Sequence, residues 1–110
     1  MNPHVVSTPQ FVSVTMRVEG SVLSAGVAEA SWVQDGEWFV NRVFIRPEHR
    51  RKGIGKTLVT RMLEEATKQG CTKMVLTPGG YGFPYEAQRN FYVACGFRVI
   101  NDEDGLLEYP

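Results

Sequence analysis

Several protein classes are excluded by what this sequence has little of. It holds two cysteines, Cys71 and Cys95, and two histidines, His4 and His49, in 110 residues. A structural zinc site usually takes four Cys or His ligands at tight spacing. These four are scattered along the chain, so no metal is expected. Two isolated thiols fit a reducing compartment, and a cytoplasmic location is expected over a secreted disulfide scaffold. No apolar run approaches ~18 residues, so nothing is expected to span a membrane. The first ten residues, MNPHVVSTPQ, lack the basic start and apolar stretch of a signal peptide. Charge of one sign is also missing: twelve Lys and Arg balance twelve Asp and Glu. That balance argues against a general nucleic-acid coat. There is no internal repeat and no low-complexity tract.

What is present suits one globular domain. Apolar residues make up 43% and charged residues 22%. Residues 1–9 carry two prolines and little pattern, and read as an N-terminal arm or the lead-in to a strand; residues 10–110 read as a single domain. Residues 10–19 alternate apolar and polar, the mark of a strand with one buried face. Residues 22–33, rich in small side chains, read as a second strand after the turn Glu19-Gly20-Ser21. Residues 37–46, EWFVNRVFIR, read as a third, stopped by Pro47. The period then changes. Ile54, Leu58, Met62 and Ala66 recur every four residues with Val59 and Leu63 beside them, which is one apolar stripe of a helix over 54–69. Residues 72–77 read as a strand, 85–95 as a second helix, and 97–100 and 106–109 as closing strands. The order βββαβαββ predicts an α+β fold on a mixed sheet.

The stretch that points to chemistry runs from Arg46 to Thr57, RPEHRRKGIGKT. It follows a strand and opens the long helix, with Gly53 and Gly55 at the junction. The first turn of a helix has backbone N–H groups without intrahelical partners, and the macrodipole places partial positive charge there. Glycine lets an anion approach the backbone. Residues 46–56 hold five basic residues against Glu48, a net +4 in a chain whose total is zero. Together these features predict a phosphate site. Two bland readings stand beside it: glycines that only make a tight turn, and a basic run that only faces solvent. Gly55-Lys56-Thr57 also matches the end of a P-loop, but that motif needs glycine where Arg50 stands, and the next strand ends in Thr77 and not in a magnesium-binding Asp. A nucleic-acid patch at 46–56 would lack the interleaved aromatics of single-strand binders.

Ile45 to Gly55, IRPEHRRKGIG, resembles the acetyl-CoA motif of the GNAT superfamily of N-acetyltransferases, V-x-P-x-x-R/Q-x-x-G-x-G/A. Arg50, Gly53 and Gly55 fall on its signature positions, and Ile45 stands where Val is usual. Ala87 to Phe97, AQRNFYVACGF, resembles the family's closing helix and strand, with Tyr92, Gly96 and Phe97 in place. The resemblance covers residues 10–110. It implies a GNAT-like, mostly antiparallel central sheet with two main helices, lacking the usual N-terminal strand and helix pair.

The resemblance also implies an activity: acetyl-CoA-dependent transfer of an acetyl group to a primary amine by direct attack in a ternary complex. In this reading acetyl-CoA is a co-substrate and no metal takes part. Backbone groups of Val43, Phe44 and Ile45 would meet pantetheine. The diphosphate would sit on the N–H groups of residues 51–56, among Arg50, Arg51, Lys52, Gly53, Ile54, Gly55, Lys56 and Thr57. Tyr92 would be the general acid for the leaving thiolate, and the N–H of Val43 would polarise the thioester carbonyl. A base or water-holding group is sought among Glu29, Glu37 and Asn41. Glu29 stands mid-strand in an apolar setting, where an acid is costly unless paired, and Arg17 and Arg42 are candidate partners. The shortened N-terminus implies an open acceptor side, suited to a bulky or protein acceptor or completed by a second subunit of a homodimer. The acceptor would be an amine-bearing small molecule, protein or peptide, with neither nucleic acid nor membrane as partner. The family's closing helix often has Asn where Tyr85 stands. The loop from Gly79 to Pro84 is expected to close over the site. A CoA-binding regulatory module without turnover is the alternative.

Overall fold

A computed structural model describes residues 2–79, 85–101, 103 and 105–110. The elements follow in the order β1 (Pro3–Ser7), β2 (Phe11–Arg17), β3 (Ser24–Gln34), β4 (Glu37–Ile45), α1 (Ile54–Lys68), β5 (Lys73–Leu76), α2 (Tyr85–Ala94), β6 (Arg98–Asn101) and β7 (Leu106–Tyr109). A short 3-10 turn, Pro47–His49, lies between β4 and α1. All the strands join one sheet in the order β1-β2-β3-β4-β5-β7-β6. Only β4 and β5 run parallel; every other neighbouring pair is antiparallel. This is the mixed, mostly antiparallel α+β sheet with two helices that the sequence predicts.

The N-terminus departs from expectation. Residues expected to be an arm or the lead-in to the strand after it are themselves a strand, β1, paired with β2 from Pro3↔Met16 to Ser7↔Val12. The two prolines hid a short alternation. Val5 packs toward the core while His4 and Val6 are exposed. Pro3 is tolerated because β1 is an edge strand, where a missing N–H breaks no ladder. The N-terminal strand is therefore present. Among the described residues there is no α-helix before α1. A turn takes that place, closed by Thr8 N–H donating to Phe11 C=O at 2.8 Å and by Phe11 N–H donating to Thr8 Oγ1 at 3.0 Å.

One face of the sheet is the core. Val12, Val14, Met16, Ala25, Ala28, Ala30 and Val40 are buried, and so is the expected stripe of α1: Ile54, Leu58, Val59, Met62, Leu63 and Ala66. The small residues of β3 let the neighbouring layers approach. A Cβ at Gly26 would fall 2.7 Å from the Phe44 carbonyl oxygen and 3.2 Å from Leu58 Cδ1. The other face carries Ser13, Thr15, Glu29, Ser31, Phe39, Asn41 and Arg42, which are half-buried or exposed. The shortest dimension, 18 Å, fits one sheet plus one helical layer.

Candidate functional site

The site begins where β4 outlasts its neighbour. β5 has four residues and pairs with β4 only at Glu37↔Lys73, Trp38↔Met74 and Phe39↔Val75. Thr77-Pro78 follows, and Pro78 cannot donate to a ladder. Among the described residues, β4 from Val40 to Ile45 is paired with β3 alone. Its register slips at Asn41, the extra residue of a bulge between Ala30↔Val40 and Glu29↔Arg42. Beyond the bulge, Arg46 N–H donates to Ala25 C=O at 2.8 Å. Antiparallel alternation then turns the backbone groups of Phe44 toward β3 and those of Val43 and Ile45 toward the opening. So the expected trio divides: Val43 and Ile45 face the opening with their backbones, and Phe44 lines it with its ring. The Ile45 carbonyl is already taken by Arg50 Nε at 2.9 Å.

The junction lies at one end of this opening. Arg50 is extended, Arg51 is left-handed at φ 62, and Gly53, the N-cap of α1, is left-handed at φ 77. No side chain caps the helix, and no acid stands in its first turn. Its first backbone bond is Thr57 N–H to Gly53 C=O at 3.2 Å. Among the described residues, the N–H groups from Arg51 through Lys56 have no hydrogen-bond partner. Successive N–H groups turned to one side by left-handed residues form an anion-binding concavity. A Cβ added at Gly53 would meet nothing within 4 Å, so the approach is open.

A cleft of about 450 Å³ runs along this junction. Val43, Phe44, Ile45, Arg50, Arg51, Gly53, Ile54, Gly55 and Lys56 line one wall. Lys52 and Thr57 do not line it. The Thr57 hydroxyl turns back and donates to Gly53 C=O at 3.0 Å. The opposite wall, from α2, is Ala87, Gln88, Phe91 and Tyr92, and His49 completes the mouth. Sequence reasoning missed His49, Ala87, Gln88 and Phe91 as lining residues. The signal was helical spacing: 87, 88, 91 and 92 lie on the same face of α2 as Tyr92.

The basic run is not uniform. Arg46 Nε pairs with Glu48 at 3.0 Å. Arg50 is folded onto the Ile45 carbonyl, with its guanidinium 5.9 Å from the centroid of the Phe44 ring. Both are tied to the protein's own framework. Arg51, Lys52 and Lys56 are exposed and make no ion pair among the described residues.

Tyr92 is 8% exposed. Its ring is held edge-on between Phe91, at 5.1 Å, and Phe97, at 5.6 Å. Phe97 N–H donates to the Tyr92 carbonyl at 3.0 Å, fixing the end of α2 against β6. The candidate bases are placed elsewhere, and none of them lines the cleft. Glu29 accepts from Arg42 Nε at 3.0 Å, so Arg42 and not Arg17 is its partner. Glu37 accepts from Lys73 at 3.4 Å and from the Gln34 amide at 3.4 Å. Asn41 donates to Ser31 Oγ. Burial pushes both thiols up; a backbone hydrogen bond at Lys73 opposes this for Cys71, and the Lys56 charge opposes it for Cys95. Protonated thiols are poor nucleophiles. Among the described residues, no group of three or more His, Cys, Asp or Glu is placed to hold a metal ion, and no helix is long and apolar enough to cross a membrane. The expected closing loop lies at residues 80–84, outside the described residues. Gly79, at its start, donates its N–H to Gln88 Oε1 at 2.9 Å.

Residues 7–97 match the acetyltransferase (GNAT) family, and the chain belongs to it. Its class is therefore acetyl transfer. Solved structures with the same fold include three that bear on the comparison. PaiA N-acetyltransferase from Thermoplasma acidophilum, in complex with coenzyme A, has a TM-score of 0.73 and 21% identity over 90% of this chain and 60% of its own. The ribosomal-protein-S18-alanine N-acetyltransferase from Escherichia coli has a TM-score of 0.72 and 17% identity over 94% of this chain and 71% of its own. The anti-CRISPR protein AcrVA5 has a TM-score of 0.66 and 22% identity over 89% of this chain and 98% of its own. At these identities the likeness is one of fold. This chain thus spans three-fifths of the PaiA enzyme and nearly all of AcrVA5. Among curated proteins none is similar enough in sequence to count as a match.

Proposed function

We propose that this chain is an acetyl-CoA-dependent N-acetyltransferase whose acceptor is a primary amine, attacked directly in a ternary complex. The observation that carries this reading is the run of unpartnered N–H groups from Arg51 to Lys56, beside a cleft between the end of β4 and α2. The cleft fits the co-substrate on both counts that matter. Its junction offers donors and positive charge to a diphosphate, and its far wall offers apolar rings to the pantetheine arm. Acetyl-CoA, when bound, supplies a thioester whose acyl carbon accepts the amine while its C–S bond breaks.

The chain's own groups do the rest. Val43 N–H, turned into the opening, is the donor for the thioester carbonyl oxygen. Tyr92 gives its phenolic proton to the departing thiolate. Its ring is clamped by Phe91 and Phe97, so little orientation is lost when it acts. The acceptor must arrive as a neutral amine, since a free Lys has a pKa of ~10.4. Glu29 and Glu37 are engaged with cations. Asn41, held by Ser31 on the bulge, is the candidate to hold a water that takes the amine proton.

A turn replaces the helix pair that walls the acceptor side in longer members, so that side is open. This suits a protein or peptide amine, or a small amine enclosed when a second copy of the chain supplies the wall. A regulatory module that binds CoA without turnover is the second reading, favoured by the ion pairing of both carboxylates.

Thiol release from acetyl-CoA, measured across a panel of small amines and peptides, decides between the two. Tyr92→Phe should lower kcat about a hundredfold and leave CoA affinity within about twofold. Binding of acetyl-CoA with no acceptor-stimulated thiol release would make the chain a module. An unchanged kcat would give the proton to another group.

A further inference from the structure

We infer that Arg42 selects the acceptor by its carboxylate, so that the substrates are primary amines with a carboxylate close to the nitrogen. The inference rests on the acetyl-transfer reading above and deepens it. It names the acceptor's class and the side chain that chooses it.

The layers fix the side from which the acceptor comes. Both helices lie on the core face of the sheet: α1 through its apolar stripe, and α2 with Phe91 against Gly55 of α1. The cleft for acetyl-CoA lies on that side, between residues of α1 and α2. With it filled, a thioester at the Val43 N–H is approached from the other face, whose side chains are half-buried or exposed.

The bulge at Asn41 puts an arginine on that face. Trp38 and Val40 are buried in the core, so strict alternation would send residue 42 after them. The extra residue reverses the order. Arg42 then pairs with Glu29, and its side chain rises from the open face one residue before Val43. Bulges re-aim side chains in this way.

Arg42 is anchored at one edge and free at the other. Its Nε donates to Glu29 Oε1 at 3.0 Å, and its side chain is 48% exposed. Among the described residues its two Nη nitrogens have no partner. The cations farther across this face are engaged. Lys73 lies between Glu37, at 3.4 Å, and Glu108, at 3.5 Å. Arg98 Nη2 donates to Glu108, at 3.3 Å, and to the Pro110 carbonyl, at 2.7 Å. A guanidinium held at Nε presents its Nη edge as a planar fork that matches a carboxylate. Glu29 cancels its charge, so the pair exerts little pull on a distant anion, and the same carboxylate repels the larger charge of a phosphate. What fits is a single carboxylate that the amine itself carries to the thioester.

The test is thiol release from acetyl-CoA by the whole chain with matched acceptors. The pairs are β-alanine against β-alaninamide, and a peptide beginning with aspartate against one beginning with asparagine; 2-aminoethyl phosphate is the phosphate arm. The two pairs distinguish a free amino acid from a peptide as the source of the same chemistry. Wild type should favour the carboxylate of at least one pair, and Arg42→Gln should lower that ratio of kcat/KM about tenfold or more, chiefly through KM. Comparing the ratio between proteins cancels amine basicity and any general loss of activity. Arg42→Lys keeps the charge without the fork and should retain only part of the preference. Circular dichroism checks that both variants fold. Ratios that are the same in wild type and Arg42→Gln overturn the inference and leave acetyl transfer standing. A preference for the phosphate arm overturns the carboxylate class. No thiol release with any acceptor removes the acetyl-transfer reading itself, and the inference falls with it.

Discussion

At its C-terminal end α1 closes as an isolated helix would need to. Lys68 stands in the last turn, where the dipole is negative. Gln69 N–H donates to the carbonyls of Ala66, at 3.0 Å, and Glu65, at 3.2 Å, and Cys71 N–H also reaches Ala66. Gly70 takes the left-handed φ of 97 that turns the chain away. The Glu65 carboxylate lies between Arg61, at 3.1 Å, and Lys68, at 3.3 Å. The N-terminal end of the same helix has none of this. No side chain caps it, no acid stands in its first turn, and Arg51, Lys52 and Lys56 cluster where the dipole is already positive. A cap alone is worth about 0.5–2 kcal/mol. The deficit is local, and it falls at the cleft. One end of α1 is completed by the protein, and the other is built to be completed by an anion.

The comparison breaks if an anion built into the unfinished end leaves ligand binding untouched. Gly53→Glu places a carboxylate at the N-cap. Nothing lies within 4 Å of its Cβ, so the chain should stay folded by circular dichroism, while CoA binding falls below detection in calorimetry. Gly53→Ala carries the same left-handed strain, about 1 kcal/mol, without the charge, and should retain measurable binding. Lys56→Glu is the milder form. An acid in the first turn suits the dipole by about 0.3–1 kcal/mol and relieves the cluster, so Tm should rise. CoA affinity should fall about tenfold at low salt, with the gap to wild type narrowing as salt screens it. Equal salt slopes for the two proteins would mean that Lys56 does not meet the ligand.

The unfinished end was legible in the sequence because its parts are local. Gly53, Gly55 and the basic run stand together, and the apolar stripe from Ile54 to Ala66 fixes the helix that follows. What was not legible depends on distant partners. The strand over 37–46 reads alike throughout, and its splayed half is set by the brevity of β5, about thirty residues away. Thr57 looks like a ligand contact in a one-dimensional reading, but it does not line the cleft and its hydroxyl turns onto Gly53. Arg50 does line the cleft, and that its Nε is also held by the Ile45 carbonyl is not visible in the sequence. Which of the Val43, Phe44 and Ile45 backbones face the opening is not readable from the sequence, because the bulge at Asn41 that sets the alternation leaves no mark in it. β1 was missed because Pro3 and Pro9 mask a single inward valine.

Gly55 sharpens the comparison from the cleft's other wall. A Cβ there would lie 3.1 Å from two atoms of the Phe91 ring, so α2 must give by a few tenths of an ångström. Helix propensity favours Ala over Gly by about 1 kcal/mol, which offsets the crowding. Gly55→Ala should therefore leave Tm nearly unchanged and weaken CoA binding about three- to fivefold. Phe91→Leu in the same background should restore affinity if the ring is what moves.

The smallest effect belongs to the finished end. The Arg61 hydrogen bond, followed by that of Lys68, holds the Glu65 carboxyl below the usual carboxylate range. Its folded pKa is thus lower than its unfolded one. The stability it contributes is fully present above the unfolded value and is lost as pH falls through the folded value. Glu65→Gln should be less stable than wild type near neutral pH, with the two melting curves converging in acid. Calorimetric melts from pH 7 to pH 2 would show the convergence. CoA affinity at neutral pH should not change, because Glu65 stands near the far end of the helix from Gly53. If Glu65→Gln weakened CoA as much as Lys56→Glu does, the two ends would be coupled through α1, and the unpartnered N–H groups could no longer be treated as a site set apart from the helix that carries them.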